Sequence, residues 1–307
     1  MFFQTTWSSP IYQQTVLIVL SLLFVSGVIV YFLRKKNYYF ISSWASLKSW
    51  LLLAPILFGL LGMDEPWPLI WLTIFAITGA KIFFQLMGMF HRSNFVLTCY
   101  LGIILLAFTI QQNRMDFYNL MPMVVLGISC LVPLVRNNYK QMIQYISLTN
   151  LGFVFLGWSF MHLGLILKFE NGVYQLMYLI ILTEFCDNTN LAISKSIGKI
   201  TMFDRIDTKR TLAGLLISAV ITIMLAFGMR HLLPDRSEFF WLTSGIIASF
   251  GGFIGDMVMT VLRKDAGIKV VGAFILGRGD LLNRMDRLIF VGPLYYYAMT
   301  LLPRFHL

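Results

Sequence analysis

Long apolar runs follow one another along almost the whole chain, separated by short polar segments. About ten are visible, near residues 16–33, 47–63, 68–90, 95–111, 118–135, 147–167, 174–193, 211–229, 239–262 and 287–303. A helix of about 17 to 25 residues is long enough to cross a hydrocarbon core about 30 Å thick. Within such a core the backbone must satisfy its own hydrogen bonds, which favours helices. The pattern predicts an all-α polytopic membrane protein with nine to ten transmembrane helices and no separate soluble domain. The first run is too long for a signal-peptide core, lacks a basic leader and is followed at once by Arg34, Lys35 and Lys36. It is expected to stay as a helix, with the N-terminus outside.

Composition agrees with that reading. The 307 residues are 58% hydrophobic and only 12% charged, against about a quarter charged in soluble domains, and the mean hydropathy is +0.76. Alternating sides from an outer N-terminus puts eighteen of the 24 Lys and Arg residues inside, as the positive-inside rule requires. Arg114, Lys168, Arg230, Arg236 and Arg304 fall outside and Lys81 falls within a span. The formal charge of +10 is therefore an inner-face charge, suited to anionic lipid headgroups or nucleotide phosphates and not to nucleic acid. Cys99, Cys130 and Cys186 show neither disulfide-framework nor zinc spacing, and His91, His162, His231 and His306 show no metal spacing. The chain has no internal repeat and no matched pair of broken helices, which weighs against a transporter.

Two inward loops, about 194–210 and 263–286, are long, basic and also acidic. Ionisable groups are costly in hydrocarbon and mark function or pairing. Lys81, Glu184, Asp187 and Asp256 qualify, and for Lys81 pairing with a carboxylate is the expectation. Glu184 and Asp187 stand one helical turn apart, with Leu191 and Lys195 continuing their face. Asp256, Thr260 and Arg263 make a second face, and Asp256 would lie about 10 Å from the inner end of its helix. Both acidic groups are thus expected near headgroup depth.

The stretch "GDMVMTVLRKDAGIKVVGAFILGRGDLLNRMDRLIF", residues 255–290, sets six Lys and Arg and four Asp between two apolar runs. It resembles the C-terminal signature of the phosphatidate cytidylyltransferase (CDP-diacylglycerol synthase) family. That signature has Gly-Asp in the penultimate helix, a Ser, Lys-Arg, Lys-Asp, a Gly-His-Gly-Gly turn and Asp-Arg-x-Asp before the last helix. Gly255 and Asp256 take the Gly-Asp places, Thr260 the Ser, and Arg263 with Lys264 the basic pair; Lys269, Gly272, Gly277, Gly279, Arg284 and Asp286 also match. Upstream, "CDNTNLAISKSIGKITMFDRIDTKRTLAG" resembles the family's Asp-bearing helix at Asp187 and its Gly-Lys loop at Gly198 and Lys199. The Lys-Lys-Thr-x-Glu-Gly element is matched at Lys209, Arg210, Thr211 and Gly214. The resemblance covers about 120 C-terminal residues and divides the chain into N-terminal helices, 1–170, and a motif-bearing transmembrane region, 171–307. Five positions depart from it: Val270 for Asp, Arg278 for His, Asp280 for Gly, Asn283 for Asp and Ala213 for Glu.

The resemblance implies transfer of a cytidylyl group from CTP to phosphatidic acid, giving a CDP-lipid and pyrophosphate at the inner face of a bacterial cytoplasmic membrane. It implies magnesium on Asp256 and position 283. Asn283 offers an amide oxygen without charge, so weaker metal binding is expected, with Asp280 or Asp286 compensating. Asp256, Lys264, Lys269 and Arg284 are the expected catalytic residues. Asp187, Lys199, Lys209, Arg210, Thr211, Thr260, Arg263, Gly277, Arg278 and Gly279 are expected to bind substrate. A homodimer is implied by the same likeness. The departures keep a degenerate lipid-binding homologue or a transporter in view, and the Lys-Thr element keeps in view a CTP-dependent lipid-alcohol kinase. In a cysteine-free background, cysteines placed at Arg205 and Arg114 are expected to label from opposite sides of the membrane; labelling from the same side would break the predicted alternation.

Overall fold

A computed structural model describes residues 6–33, 39–233, 238–267 and 281–301. The described chain is built from α1 (Pro10–Leu33), α2 (Tyr39–Leu61), α3 (Trp67–Leu86), α4 (Ser93–Gln111), α5 (Met115–Val135), α6 (Met142–Gly152), α7 (Phe160–Leu167) and α8 (Gly172–Ser196). It continues through β1 (Thr201–Phe203), β2 (Asp207–Thr211), α9 (Leu212–Gly228), α10 (Glu238–Ile246), α11 (Gly252–Asp265) and α12 (Leu281–Leu301). A π-helical segment, Phe153–Ser159, joins α6 to α7 into one rod, and another, Ile247–Gly251, joins α10 to α11. Several turns between rods use left-handed residues: Gly88 after α3, Asn113 before α5, Asn137 and Gln141 before α6, Asn171 before α8 and Gly267 after α11. Glycine and asparagine adopt this conformation at the least cost, which is why they end helices.

The helical rods fall on the apolar runs, and among the described residues six are long and apolar enough to cross a membrane: Pro10–Phe32, Trp67–Leu86, Ser93–Gln111, Met115–Val135, Met142–Leu167 and Phe239–Asp265. The expected count of nine to ten spans is not confirmed at that standard. Leu212–Gly228 is apolar but shorter, while α8 carries Glu184, Asp187 and Lys195, and α12 carries Arg284, Asp286 and Arg287. The helices are arranged inside out relative to a soluble protein. Leu22 and Phe24 of α1 and Phe108 of α4 lie more than 60% exposed, as suits apolar chains that face lipid. By contrast every residue from Phe160 to Ile166 of α7 is buried, and α8 is buried over most of its first 19 residues. α7 and α8 therefore form the axis around which the other helices pack.

The short antiparallel hairpin β1–β2 interrupts the expected all-helical order, pairing Thr201 with Thr211 and Phe203 with Asp207. It fills part of the first long loop. Its last residue, Thr211, is extended and caps α9 by accepting a hydrogen bond from the Gly214 backbone N–H at 3.1 Å, as Thr does at helix starts. Thr211 is also tied to α8: its N–H and its hydroxyl lie 3.2 and 3.1 Å from Ser194 Oγ. Glycine sets the closest helix contact near this end. A methyl group on Gly255 of α11 would collide with the Asp286 carbonyl of α12. Gly255→Ala is therefore expected to destabilise the protein by about 1–3 kcal/mol through overpacking. Gly127, with nothing near its missing Cβ, is expected to accept Ala without loss; thermal unfolding in detergent compares the two.

Candidate functional site

Charged side chains from four elements meet at one end of the bundle. α8 supplies Glu184 and Asp187 one turn apart, and α12 supplies Arg284 and Arg287 at the same spacing, so two helical faces match acid to base. Arg287 Nη1 lies 2.8 Å from Glu184 Oε2 and 3.2 Å from Asp187 Oδ2. Arg284 Nη1 makes a longer contact, 3.5 Å, with Glu184 Oε2. Its guanidinium also lies 4.9 Å above the ring of Trp50 from α2, a cation–π distance.

The hairpin inserts Arg210 between α8 and α11. One nitrogen, Nη2, donates to Asp187 Oδ1 at 2.6 Å and to Asp256 Oδ2 at 2.5 Å. Asp207 stands at the rim, 3.8 Å from Arg210 Nε. Burial works against the Arg210 charge, yet Asp187 and Asp256 outweigh it, so its pKa lies above the usual guanidinium value. On the other face of α12, fully buried Asp286 is closed onto Arg263 of α11. Three buried carboxylates (Glu184, Asp256, Asp286) and the half-buried Asp187 are thus matched by four guanidiniums (Arg210, Arg263, Arg284, Arg287). The space left among Asp187, Arg210, Ser249 and Arg287 is about 10 Å³, room for one water and not for a nucleotide.

Asp187, Arg210, Asp256, Arg263, Arg284 and Asp286, singled out from the sequence, are brought together here. Thr211 anchors the hairpin, and Thr260 is half-buried on α11. Lys199, Lys209 and Lys264 are exposed outside the ionic cluster; Lys264 Nζ reaches the Arg205 carbonyl at 3.4 Å. Lys269, Gly277, Arg278, Gly279 and Asp280 lie outside the described residues, as does the Asn283 side chain. Lys81, expected to pair within a span, is exposed on α3 five residues before its end, where a lysine stem can reach the interface. The central role of Arg287 escaped sequence reasoning, which counted it among the inner-face charges. Its spacing from Arg284, equal to that of Glu184 from Asp187, was the available signal.

The divalent ion implied by resemblance does not fit the described residues as they stand. Asp256 and Asp187 share Arg210, Asp286 faces Arg263, and residue 283 is a neutral Asn. Among the described residues no group of three or more His, Cys, Asp or Glu is placed to hold a metal. A larger cavity, about 340 Å³, opens at the opposite end of the bundle beside Asp64, Glu65, Gln111 and Lys168. Its Lys168–Glu65 pair, at 2.6 Å, is partly solvated, and no matched set of acids and guanidiniums lies there among the described residues.

Comparison with known proteins identifies the family. The profile of the cytidylyltransferase family matches residues 44–302. Over 129 residues the chain is 34% identical to the uncharacterized protein YnbB of Escherichia coli (strain K12), covering 42% of this chain and 43% of that protein. Over 106 residues it is 34% identical to phosphatidate cytidylyltransferase 4, chloroplastic, of Arabidopsis thaliana, covering 33% of this chain and 26% of that protein. Both matches span less than half of the relative's length. A longer match, 24% identical over 232 residues, covers 73% of this chain and 86% of the phosphatidate cytidylyltransferase of Bacillus subtilis (strain 168).

Removing one partner from a buried ion pair leaves the other unpaired and costs about 3–5 kcal/mol. Arg287→Ala is expected to fall in that range. Lys168→Ala, whose partner Glu65 is 61% exposed, should cost under about 1 kcal/mol. Denaturation of both variants in the same detergent checks the contrast.

Proposed function

Because the chain belongs to the cytidylyltransferase family, we propose that it transfers the cytidylyl group of CTP to a phospholipid acid of the phosphatidate class. A lipid phosphate oxygen attacks the α-phosphorus of CTP, the bond to the β-phosphate oxygen breaks, and CDP-lipid and pyrophosphate leave. The site would face the cytoplasm of a bacterial membrane, where CTP is dissolved and the lipid headgroup lies at the same depth. The observation that carries the reading is the convergence of four guanidiniums from β2, α11 and α12 on the carboxylates of α8, α11 and α12, three of them (Arg210, Arg263 and Arg284) at positions that match the family signature.

Joining two anionic reactants requires positioning and charge neutralisation more than a protein nucleophile. Guanidiniums provide both, because their paired N–H groups hold phosphate oxygens in a fixed plane. Arg284 is the first candidate for a phosphate, since its nearest carboxylate, Glu184 at 3.5 Å, is farther away than the nearest carboxylates of Arg210 and Arg287, and its guanidinium lies over Trp50. Arg287 and Arg210 form the floor: their short carboxylate contacts fix where Arg284 and the rim sit. Thr260 stands one helical turn beyond Asp256 on α11, and Lys209 and Lys264 are exposed point charges for the triphosphate. Lys199, Lys269, Arg278 and the glycines Gly277 and Gly279 keep the substrate-side roles that the resemblance gives them. In this reading Asp187 and Asp256 orient Arg210, and charge neutralisation rests on the guanidiniums.

A second reading is a lipid-binding homologue without turnover. The matching of every buried carboxylate at the cluster to a guanidinium, together with neutral Asn283, favours it. Purified protein in nanodiscs, given labelled CTP, phosphatidic acid and magnesium, is expected to form a CDP-lipid. Asp256→Ala should lower the rate on the order of 100-fold by releasing Arg210 from its position. Silence of the wild type with several phospholipid acids, combined with activity gained by Asn283→Asp, would establish the second reading instead.

A further inference from the structure

Two carboxylates from different helices approach one point only where a cation or a shared proton offsets their repulsion. Asp187 of α8 and Asp256 of α11 do approach one, and what stands there is a single nitrogen of Arg210, at 2.6 and 2.5 Å. The three side chains are 7 to 11% exposed, so solvent screens their charges little. Arg210 is not a long side chain that has wandered in. It sits on β2 beside Thr211, which is bonded to Ser194 of α8 and caps α9, and the start of the strand is pinned by the Lys209 N–H donating to Asp207 Oδ1 at 2.9 Å. The second oxygen of Asp187 is engaged by Arg287 at 3.2 Å. Magnesium demands six oxygen ligands near 2.1 Å. Here two carboxylates converge, and both already bind a guanidinium.

We propose that Arg210 is the resident cation of the Asp187–Asp256 pair, joining α8 to α11 as a metal ion would, so that the nucleotide-free protein does not load a divalent ion at this pair. The inference concerns the resting charge balance and is independent of whether cytidylyl transfer occurs. It follows that deleting the guanidinium leaves two facing carboxylates that a divalent ion can join. The geometry also explains why an extended hairpin, and not a helix, precedes α9: extended backbone carries the residue before the cap inward between two helices.

The test is Mn²⁺ binding to the full-length protein in detergent without nucleotide, read from the electron paramagnetic resonance signal of free Mn²⁺. Arg210→Ala is expected to bind one Mn²⁺ at least about tenfold more tightly than the wild type, and the added Asp256→Asn substitution is expected to remove that site. A wild-type protein that binds one Mn²⁺ as tightly as Arg210→Ala, and loses it on Asp256→Asn, overturns the proposal. Should Arg210→Ala fail to fold, the wild-type titration decides: an Asp256-dependent Mn²⁺ site refutes the resident cation, and the lack of one supports it. Since no turnover is measured, an inactive protein and a wrong assignment of Arg210 give different results.

Discussion

Pairing of arginine with carboxylate in an apolar surrounding is the constraint on which this architecture turns. None of α8, β2, α11 and α12 can bury its own charges alone, because an unpaired ion withdrawn from water costs several kcal/mol. Each brings what another lacks. Glu184 and Asp187 need Arg284 and Arg287, Asp256 needs Arg210, and Asp286 needs Arg263. The elements must therefore arrive together and in one register, since sliding α12 by a turn along α8 would strand two charges at once.

That register is reinforced by residues that carry no charge. Gly255 lets α11 lie against the backbone of α12 at Asp286, which places Arg263 and Asp286 in contact. Thr211 holds the hairpin to Ser194 and starts α9 in the same stroke, so the position of Arg210 is set by two helices and not by its own flexible stem. Apolar helices outside the cluster, with chains such as Phe24 and Phe108 turned outward, keep this polar core at one end of a bundle that is otherwise greasy.

Function in this reading depends on an uneven distribution of commitment among the cations. Arg210 and Arg287 make short contacts with two carboxylates each and act as a fixed floor. Arg284 is held loosely, and Lys209 and Lys264 are exposed. Phosphates entering such a site would meet the loosely held charges first, and those charges are placed by the ones that do not move. The small void at the centre, too small for a nucleotide, is what a fully paired floor looks like.

The membrane class, the positions of the helical rods and the family were legible in the sequence because they rest on local or linear properties: run length, helical period, and the ordered motif from Gly255 to Asp286. Among the described residues six rods meet the standard of a membrane span, and the polar α8 and α12 do not, because a hydropathy count sees residue type and not what each residue is paired with. The hairpin β1–β2 was hidden for a related reason, as a basic, acidic and short segment reads as loop until Thr211 finds Ser194. Asp187 and Asp256 could be named from their motifs. That they share one nitrogen of Arg210, and that Arg287 rather than Lys264 lies against Glu184 and Asp187, was decided only by the tertiary structure, because which cation reaches which carboxylate depends on helix register and depth and leaves no trace in linear spacing.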